Sequence, residues 1–229
     1  MRIVISLLLV LSSTTAFADH GTHTWENTHR SVIAVLPTWP GYEKPGFGAP
    51  NGVAPEGSGI SIALGSERES DLVLTAAHVV DRATRVQVRD SDNGILADAK
   101  ILWIDSDADI ALLRTPTSRP ALNLTTTSVT PGQHVCVIAN PFGLGMSISC
   151  GVVSGTHRGG IGFNPIEDFI QTDAAVNPGA SGGALVDANG VLVGMIASIF
   201  TKDADIDAGV NFAISSRLLV ERIKRVAIP

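Results

Sequence analysis

The sequence predicts an all-β fold closed by a C-terminal helix, and three observations carry that prediction. Gly (23) and Pro (12) are plentiful in a chain of 229 residues. Between them lie many short apolar runs of strand length, bounded by turn-forming residues. Helical spacing of apolar residues is found at the end of the chain, in Leu218, Leu219, Ile223 and Val226. With 45% hydrophobic and 17% charged residues, the chain can bury a sizeable core and is not expected to be disordered. Its length suits one ordinary domain or two closely packed small barrels.

Residues 1–18 read as a secretory signal peptide. Arg2 supplies a positive charge, residues 3–11 are apolar except for Ser6, and Ala16-Phe17-Ala18 has the small-x-small pattern of a cleavage site. The apolar run falls short of the roughly 20 residues that span a bilayer, and no later stretch is long enough. After cleavage the protein is therefore expected in the periplasm or secreted, without a membrane span. Cleavage leaves 15 basic and 22 acidic residues, a net charge of −7. An acidic protein without a basic patch is a poor match for nucleic acid, and none is expected as a partner.

Residues 19–30 are polar, hold His20, His23 and His29, and read as a flexible N-terminal arm. No cysteine or carboxylate spacing supports a metal site there, and none is expected. Trp25 could dock the arm onto a neighbour or onto its own domain. Residues 31–36 read as the first strand, and residues 37–58, with five prolines and five glycines, as a long surface loop. Further strands are expected at 59–64, 71–75, 84–89, 97–104 and 110–114. Residues 115–131, rich in Thr, Ser and Pro, suit a linker. The second half offers strands at 135–139, 147–154, 169–172, 183–186, 191–199 and 210–213, with Asn189-Gly190 as a tight-hairpin signal. A helix over 215–226 follows, capped by Ser215. The order is six strands, a linker, six strands and a helix.

The two cysteines, Cys136 and Cys150, flank Asn140-Pro141-Phe142-Gly143-Leu144-Gly145, which reads as a hairpin turn. If Ile138 faces Ile148, Cys136 faces Cys150, since both pairs are centred on Gly143. In an oxidising compartment a disulfide is expected, stapling the hairpin rather than doing chemistry. Two buried thiols acting as small apolar residues are the alternative.

Three stretches can do chemistry together. In Leu74-Thr75-Ala76-Ala77-His78-Val79-Val80, small residues after a strand let the backbone turn and leave one imidazole at a surface. In Asp107-Ala108-Asp109-Ile110-Ala111-Leu112-Leu113, a carboxylate precedes an apolar strand and can be partly buried. In Asn177-Pro178-Gly179-Ala180-Ser181-Gly182-Gly183-Ala184-Leu185, a serine sits among glycines before a strand. A serine hydroxyl is a weak nucleophile and needs a base beside it. His78 can take its proton and return it to the leaving amine, while Asp109 fixes the imidazole tautomer. Glycines let backbone N–H groups converge on one spot, as an oxyanion hole requires, with Gly179 and Ser181 the natural donors within the Gly179-Ala180-Ser181 loop. This chemistry needs no cofactor.

The order and local sequences resemble chymotrypsin-like serine proteases, and more closely their HtrA/Deg branch. The resemblance rests on Thr75-Ala76-Ala77-His78-Val79-Val80, Asp109-Ile110-Ala111-Leu112-Leu113, Ala139-Asn140-Pro141-Phe142-Gly143-Leu144, the run from Gln171 to Leu185, and Gly209-Val210-Asn211-Phe212-Ala213-Ile214. It implies a protease domain over 31–229, with two six-stranded antiparallel barrels at about 31–118 and 131–214 and the active site in the cleft between them. It assigns His78, Asp109 and Ser181 as catalytic residues acting on protein or peptide substrates, unfolded or damaged proteins among them. It places the substrate pocket at Ile196, Ala197, Ser198 and Ile199, which implies a small or medium apolar side chain. It also implies self-association, as a trimer. Ala180 departs from the family, which usually has Asn or Asp there. Members often carry one or two PDZ domains after the protease; this chain ends at Pro229, so regulation through PDZ is not expected. Two other readings compete: a latent or inactive protease-fold module that binds unfolded chains, and a glutamyl-type processing protease whose pocket would use His157, Ser198 and Thr201.

Overall fold

Strands buried on both sides carry near-continuous apolar runs instead of strict alternation, and this chain folds accordingly. A computed structural model describes residues 20–40, 56–90, 94, 96–199 and 209–226. Residues 1–18, read as a signal peptide, and most of the expected loop at 37–58 lie outside the described residues. The first barrel consists of β1 (Val32–Thr38), β2 (Gly57–Ala63), β3 (Glu69–Thr75), β4 (Arg85–Arg89), β5 (Leu96–Asp105) and β6 (Ile110–Pro120). They pair antiparallel in the order β1-β4-β5-β6-β3-β2, and β1 pairs β2 to close the ring. A two-residue strand, β7 (Leu122–Asn123), adds to β2 in parallel. The second closed barrel orders β10 (Phe169–Thr172), β13 (Asn211–Ser215), β12 (Leu192–Ile199), β11 (Ala184–Asp187), β8 (His134–Ala139) and β9 (Ser147–Arg158). The two six-stranded antiparallel barrels agree with the sequence expectation.

The alternation of side chains along each strand distributes the core. On β8, Val135, Val137 and Ala139 join a cluster drawn from the second barrel alone, while Cys136 and Ile138 join a cluster that both barrels share. On β1, Val32 faces the shared cluster and Ile33 a cluster confined to the first barrel. β1 and β8 thus bury both faces, one in the cluster of their own barrel and one in the cluster the barrels share.

Three local features differ from or refine the sequence reading. The segment expected as a flexible arm at 19–30 is ordered where it is described: His20–Thr28 forms helix α1, followed by a 3-10 turn at His29–Ser31. Thr24 and Thr28 are buried, the Thr24 hydroxyl donates to Ala188 O, and Trp25 packs on the shared core, so the segment docks on its own domain. One apolar ring and two threonines on one face suffice for docking, which mean polarity conceals. The linker is also shorter than expected, because β6 runs on to Pro120 and pairs Arg119 with Ser70. There the polar end of β6 meets the polar start of β3, and backbone pairing needs no apolar side chain. Asn189-Gly190 does close the β11–β12 hairpin: Gly190, at φ +78°, donates to Asp187 O while Asp187 N–H donates to Val191 O. Cys136 pairs with Cys150 in the β8–β9 ladder and the two form a disulfide.

Helix α2 (Ala77–Val80) is a single turn after β3. Helix α3 (Ser216–Ile223) closes the fold with Leu218, Leu219 and Ile223 in the shared core. Ser215 caps it, accepting the Leu218 N–H at 3.2 Å. No helix among the described residues is long and apolar enough to cross a membrane.

Candidate active site

A cleft of about 570 Å³ brings His78, Asp109 and Ser181 together. Each arrives by a different device. β3 ends at Thr75, and the turn of α2 lifts His78 to the rim while Ala77, Val79 and Val80 stay buried. Asp109 immediately precedes β6 in the left-handed region, at φ +57°. A non-glycine residue adopts that conformation at a cost and needs local compensation. The compensation is visible: Asp109 Oδ1 accepts the His78 backbone N–H at 2.9 Å, and Oδ2 accepts the His78 Nδ1–H at 2.8 Å. One carboxylate, only 11% exposed, therefore fixes both the place and the tautomer of the ring.

The His78 side chain remains about half exposed (52%) although protein hems it closely. That partial burial opposes the imidazolium, but the Asp109 hydrogen bond and the charges of Asp109 and Asp81 outweigh it. The pKa lies above the ordinary 6.5 as a result. Among the described residues no hydrogen bond joins Ser181 to His78; such contacts are commonly long without substrate and tighten when it binds.

The serine loop is held from outside itself. Ser58 N–H donates to Ser181 O, and Gly182 N–H to Ile196 O. Gly182 sits at φ +84°, where an added Cβ would meet Ser58 O at 2.1 Å, so only glycine fits. Of the three loop residues expected at the oxyanion hole, Ala180 is not available: its N–H donates to Asn177 O and its side chain is buried in the second barrel. This inward position also accommodates alanine without touching the cleft. Gly179, at φ +95°, and Ser181 retain backbone N–H groups without a partner among the described residues.

The expected pocket residues divide. Ala197 lines the cleft, beside Val176. Ile196 does not, because the alternation along β12 turns it into the core of the second barrel. Ser198 and Ile199 belong to β12 by backbone pairing with Phe212 and Asn211. His157 is elsewhere: its Nδ1–H donates to Asp168 Oδ1 at 3.0 Å and it borders a separate cavity of about 50 Å³. The glutamyl-type reading thereby loses its histidine, and Thr201 lies outside the described residues.

Gly162, Phe163 and Asn164 form a further wall of the cleft that sequence reasoning missed. Their loop is gathered on one carboxylate, since Glu167 accepts the N–H groups of Ile161, Gly162, Phe163 and Asn164 at 2.7–3.1 Å. Burial pushes the Glu167 pKa up, but these four donors outweigh it and hold the carboxyl below its usual value. The signal was present as Gly159-Gly160-Ile161-Gly162 with Glu167 beyond it, a loop with an acceptor, but nothing in the chain order pointed it at the cleft.

Comparison with known proteins identifies the family of the chain. The trypsin-like peptidase domain family matches residues 57–195. The periplasmic serine endoprotease DegP of Escherichia coli (strain K12) is 40% identical over 166 residues, covering 71% of this chain and 34% of that protein. The serine protease HTRA1A of Danio rerio is 39% identical over 169 residues, covering 69% and 34%. The chain thus spans about a third of the length of these relatives. Among solved structures, the HtrA-type protease AlgW with tripeptide superposes with a TM-score of 0.77 at 32% identity, over 89% of this chain and 62% of that one. Because the family match over residues 57–195 covers more than half of the chain, the chain belongs to the family of trypsin-like peptidase domains.

Proposed function

We propose that the protein is a periplasmic or secreted serine endopeptidase in which Ser181 attacks the scissile carbonyl. The observation that carries this reading is the double hold of Asp109 on His78 in the cleft that Ser181 lines. With Nδ1–H committed to Asp109, the Nε2 lone pair is free to face the serine. His78 takes the Ser181 proton as the bond to carbon forms and returns it to the leaving amine. The oxyanion then lies against the N–H groups of Gly179 and Ser181. Water repeats the cycle on the acyl-enzyme, again deprotonated by His78.

Ala197 and Val176 favour a small or medium apolar substrate side chain, and the open cleft favours extended segments of unfolded proteins. The similarity to periplasmic endoproteases of bacteria supports a periplasmic location, in keeping with the disulfide and the N-terminal sequence. Assembly as a trimer is part of the same reading.

The test is hydrolysis of unfolded casein by the mature protein across pH. His78 must be neutral to accept a proton, so kcat/KM rises with pH and its acid limb has a midpoint above 6.5. The stability linkage has the opposite sign. A folded pKa raised above the unfolded 6.5 stabilises the fold fully below pH 6.5 and loses that contribution as pH climbs through the folded value. A flat profile between pH 5 and 8 would contradict the assignment of His78 as base.

A further inference from the structure

The direction of the Gly179 N–H is set by residues far from it in sequence. In a trans peptide the carbonyl and the following N–H point opposite ways. Pro178 O accepts the Phe142 N–H at 2.7 Å, and Gly179 O accepts the Ser58 hydroxyl at 2.8 Å. The Gly179 N–H, which shares its peptide with Pro178 O, is therefore aimed by wherever Phe142 stands, while Ser58 fixes the next peptide, that of Gly179 O and the Ala180 N–H. Ser58 is on β2, but Phe142 is on the β8–β9 turn. That turn has Phe142, Gly143 and Gly145 all at positive φ, the first of them unfavourable for a residue with a side chain. Such a backbone persists only when its surroundings impose it.

Asn140, fully buried, imposes it. Its backbone N–H donates to Ser58 Oγ at 2.9 Å, and its Oδ1 accepts the Gly145 N–H at 2.9 Å. Its amide Nδ2 donates to Glu56 Oε2 at 2.8 Å. Glu56 is only 9% exposed in its side chain, and Arg89 Nη2 from β4 donates to the same oxygen at 2.6 Å. The carboxylate also lies against the turn itself, 3.3 Å from where a Cβ on Gly143 would be. A carboxylate this buried is costly unless paired and hydrogen-bonded. Arg89 supplies the pairing, and the remaining hydrogen bond goes to the residue that shapes the turn. A neutral Gln at 56 keeps a carbonyl acceptor for the Arg89 and Asn140 donors but lacks the charge that pairs with Arg89.

We propose that Glu56 is a positioning residue for the oxyanion hole. Through Asn140 it fixes the 140–145 turn, the turn holds Pro178 O, and the Gly179 N–H is thereby kept pointing into the cleft. The Glu56–Arg89 pair makes this arrangement depend on the first barrel, although the hole itself is built on the second. The inference rests on Ser181 as nucleophile with Gly179 and Ser181 as oxyanion donors.

The consequence is selective for the transition state. Losing one oxyanion donor outright costs about 10²–10³ in kcat, and misaiming it costs about 10–100-fold. Glu56→Leu and Arg89→Met in the full mature chain are expected to lower kcat by that factor with KM within about twofold, and to weaken a peptidyl boronate inhibitor, which forms a tetrahedral adduct on serine, by the same factor. Glu56→Gln, which keeps an acceptor for Asn140, is expected to be intermediate. Amide hydrogen exchange reads the turn without turnover: Phe142 and Gly145 should exchange at least about tenfold faster in Glu56→Leu, while Val137 in β8 keeps its wild-type rate. Unchanged exchange at Phe142 and Gly145 overturns the inference. So does Ser181-dependent hydrolysis that Glu56→Leu leaves intact, or a loss shared equally by kcat and 1/KM. A wild-type chain without Ser181-dependent hydrolysis overturns the proposed function, and this inference with it.

Discussion

Ser181→Ala removes hydrolysis of unfolded casein, with kcat falling by about 10⁶. The loss is this large because nucleophile and base act as a unit, and a methyl group offers nothing for His78 to activate. The fold should not notice. The serine's structural contribution runs through its backbone, whose carbonyl accepts the Ser58 N–H at 2.8 Å. The loop conformation is imposed by Gly182 and by the Ala180–Asn177 hydrogen bond, neither of which involves the hydroxyl. Thermal unfolding of the variant is expected within about 0.5 kcal/mol of the parent. A variant that keeps a tenth of the parent's turnover would exclude Ser181 as nucleophile. One that loses both activity and fold would leave the kinetic comparison without meaning, which is why melting is measured alongside.

Asp109→Asn is the second large effect, with kcat reduced by about 10⁴. The carboxylate accepts two hydrogen bonds from His78, one from the backbone and one from the ring. A carboxamide of the same shape has one acceptor and one donor end. If its oxygen stays on the backbone N–H, its NH₂ faces Nδ1 and stabilises the tautomer with hydrogen on Nε2. That tautomer presents a donor to Ser181 and cannot take its proton. Two of the causes that raise the His78 pKa, the Asp109 hydrogen bond and the Asp109 charge, disappear with the carboxylate. The His78 titration, followed by NMR, is expected to move to lower pH than in the parent. A variant with near-normal kcat and an unmoved titration would show that Asp109 only supports the chain at its positive-φ position.

How far these features were legible in the sequence follows from how local their causes are. His78, Asp109 and Ser181 each lie in a short stretch whose residue types announce a strand end, a partly buried carboxylate or a glycine-rich turn, and their order completes the pattern. Cys136 and Cys150 were legible because a symmetric hairpin about Gly143 puts them opposite one another, as the ladder does. Ser215 as a helix cap was legible for the same reason: the cause lies within three residues. Ile196 misled because a strand buried on both faces gives no sign in its sequence of which apolar side chain faces the cleft. Helix α1 was hidden because its docking face is too small to raise the mean hydropathy of a polar segment. The Glu167 clamp and the Glu56–Arg89–Asn140 connection were invisible for a stronger reason. The Glu167 clamp is local, within six residues, but only the fold turns its loop toward the cleft, whereas the Glu56 connection joins residues that only barrel closure brings together, 33 residues apart for Glu56 and Arg89 and 84 for Glu56 and Asn140.

The central claim is that this fold activates one serine. Reaction of the purified mature protein with a fluorophosphonate probe tests it most directly, because the probe needs an activated nucleophile and not a matching substrate. Labelling on Ser181 is predicted for the folded parent and absent from both Ser181→Ala and heat-unfolded protein. A folded parent that stays unlabelled, or labelling that persists in Ser181→Ala, would contradict the account.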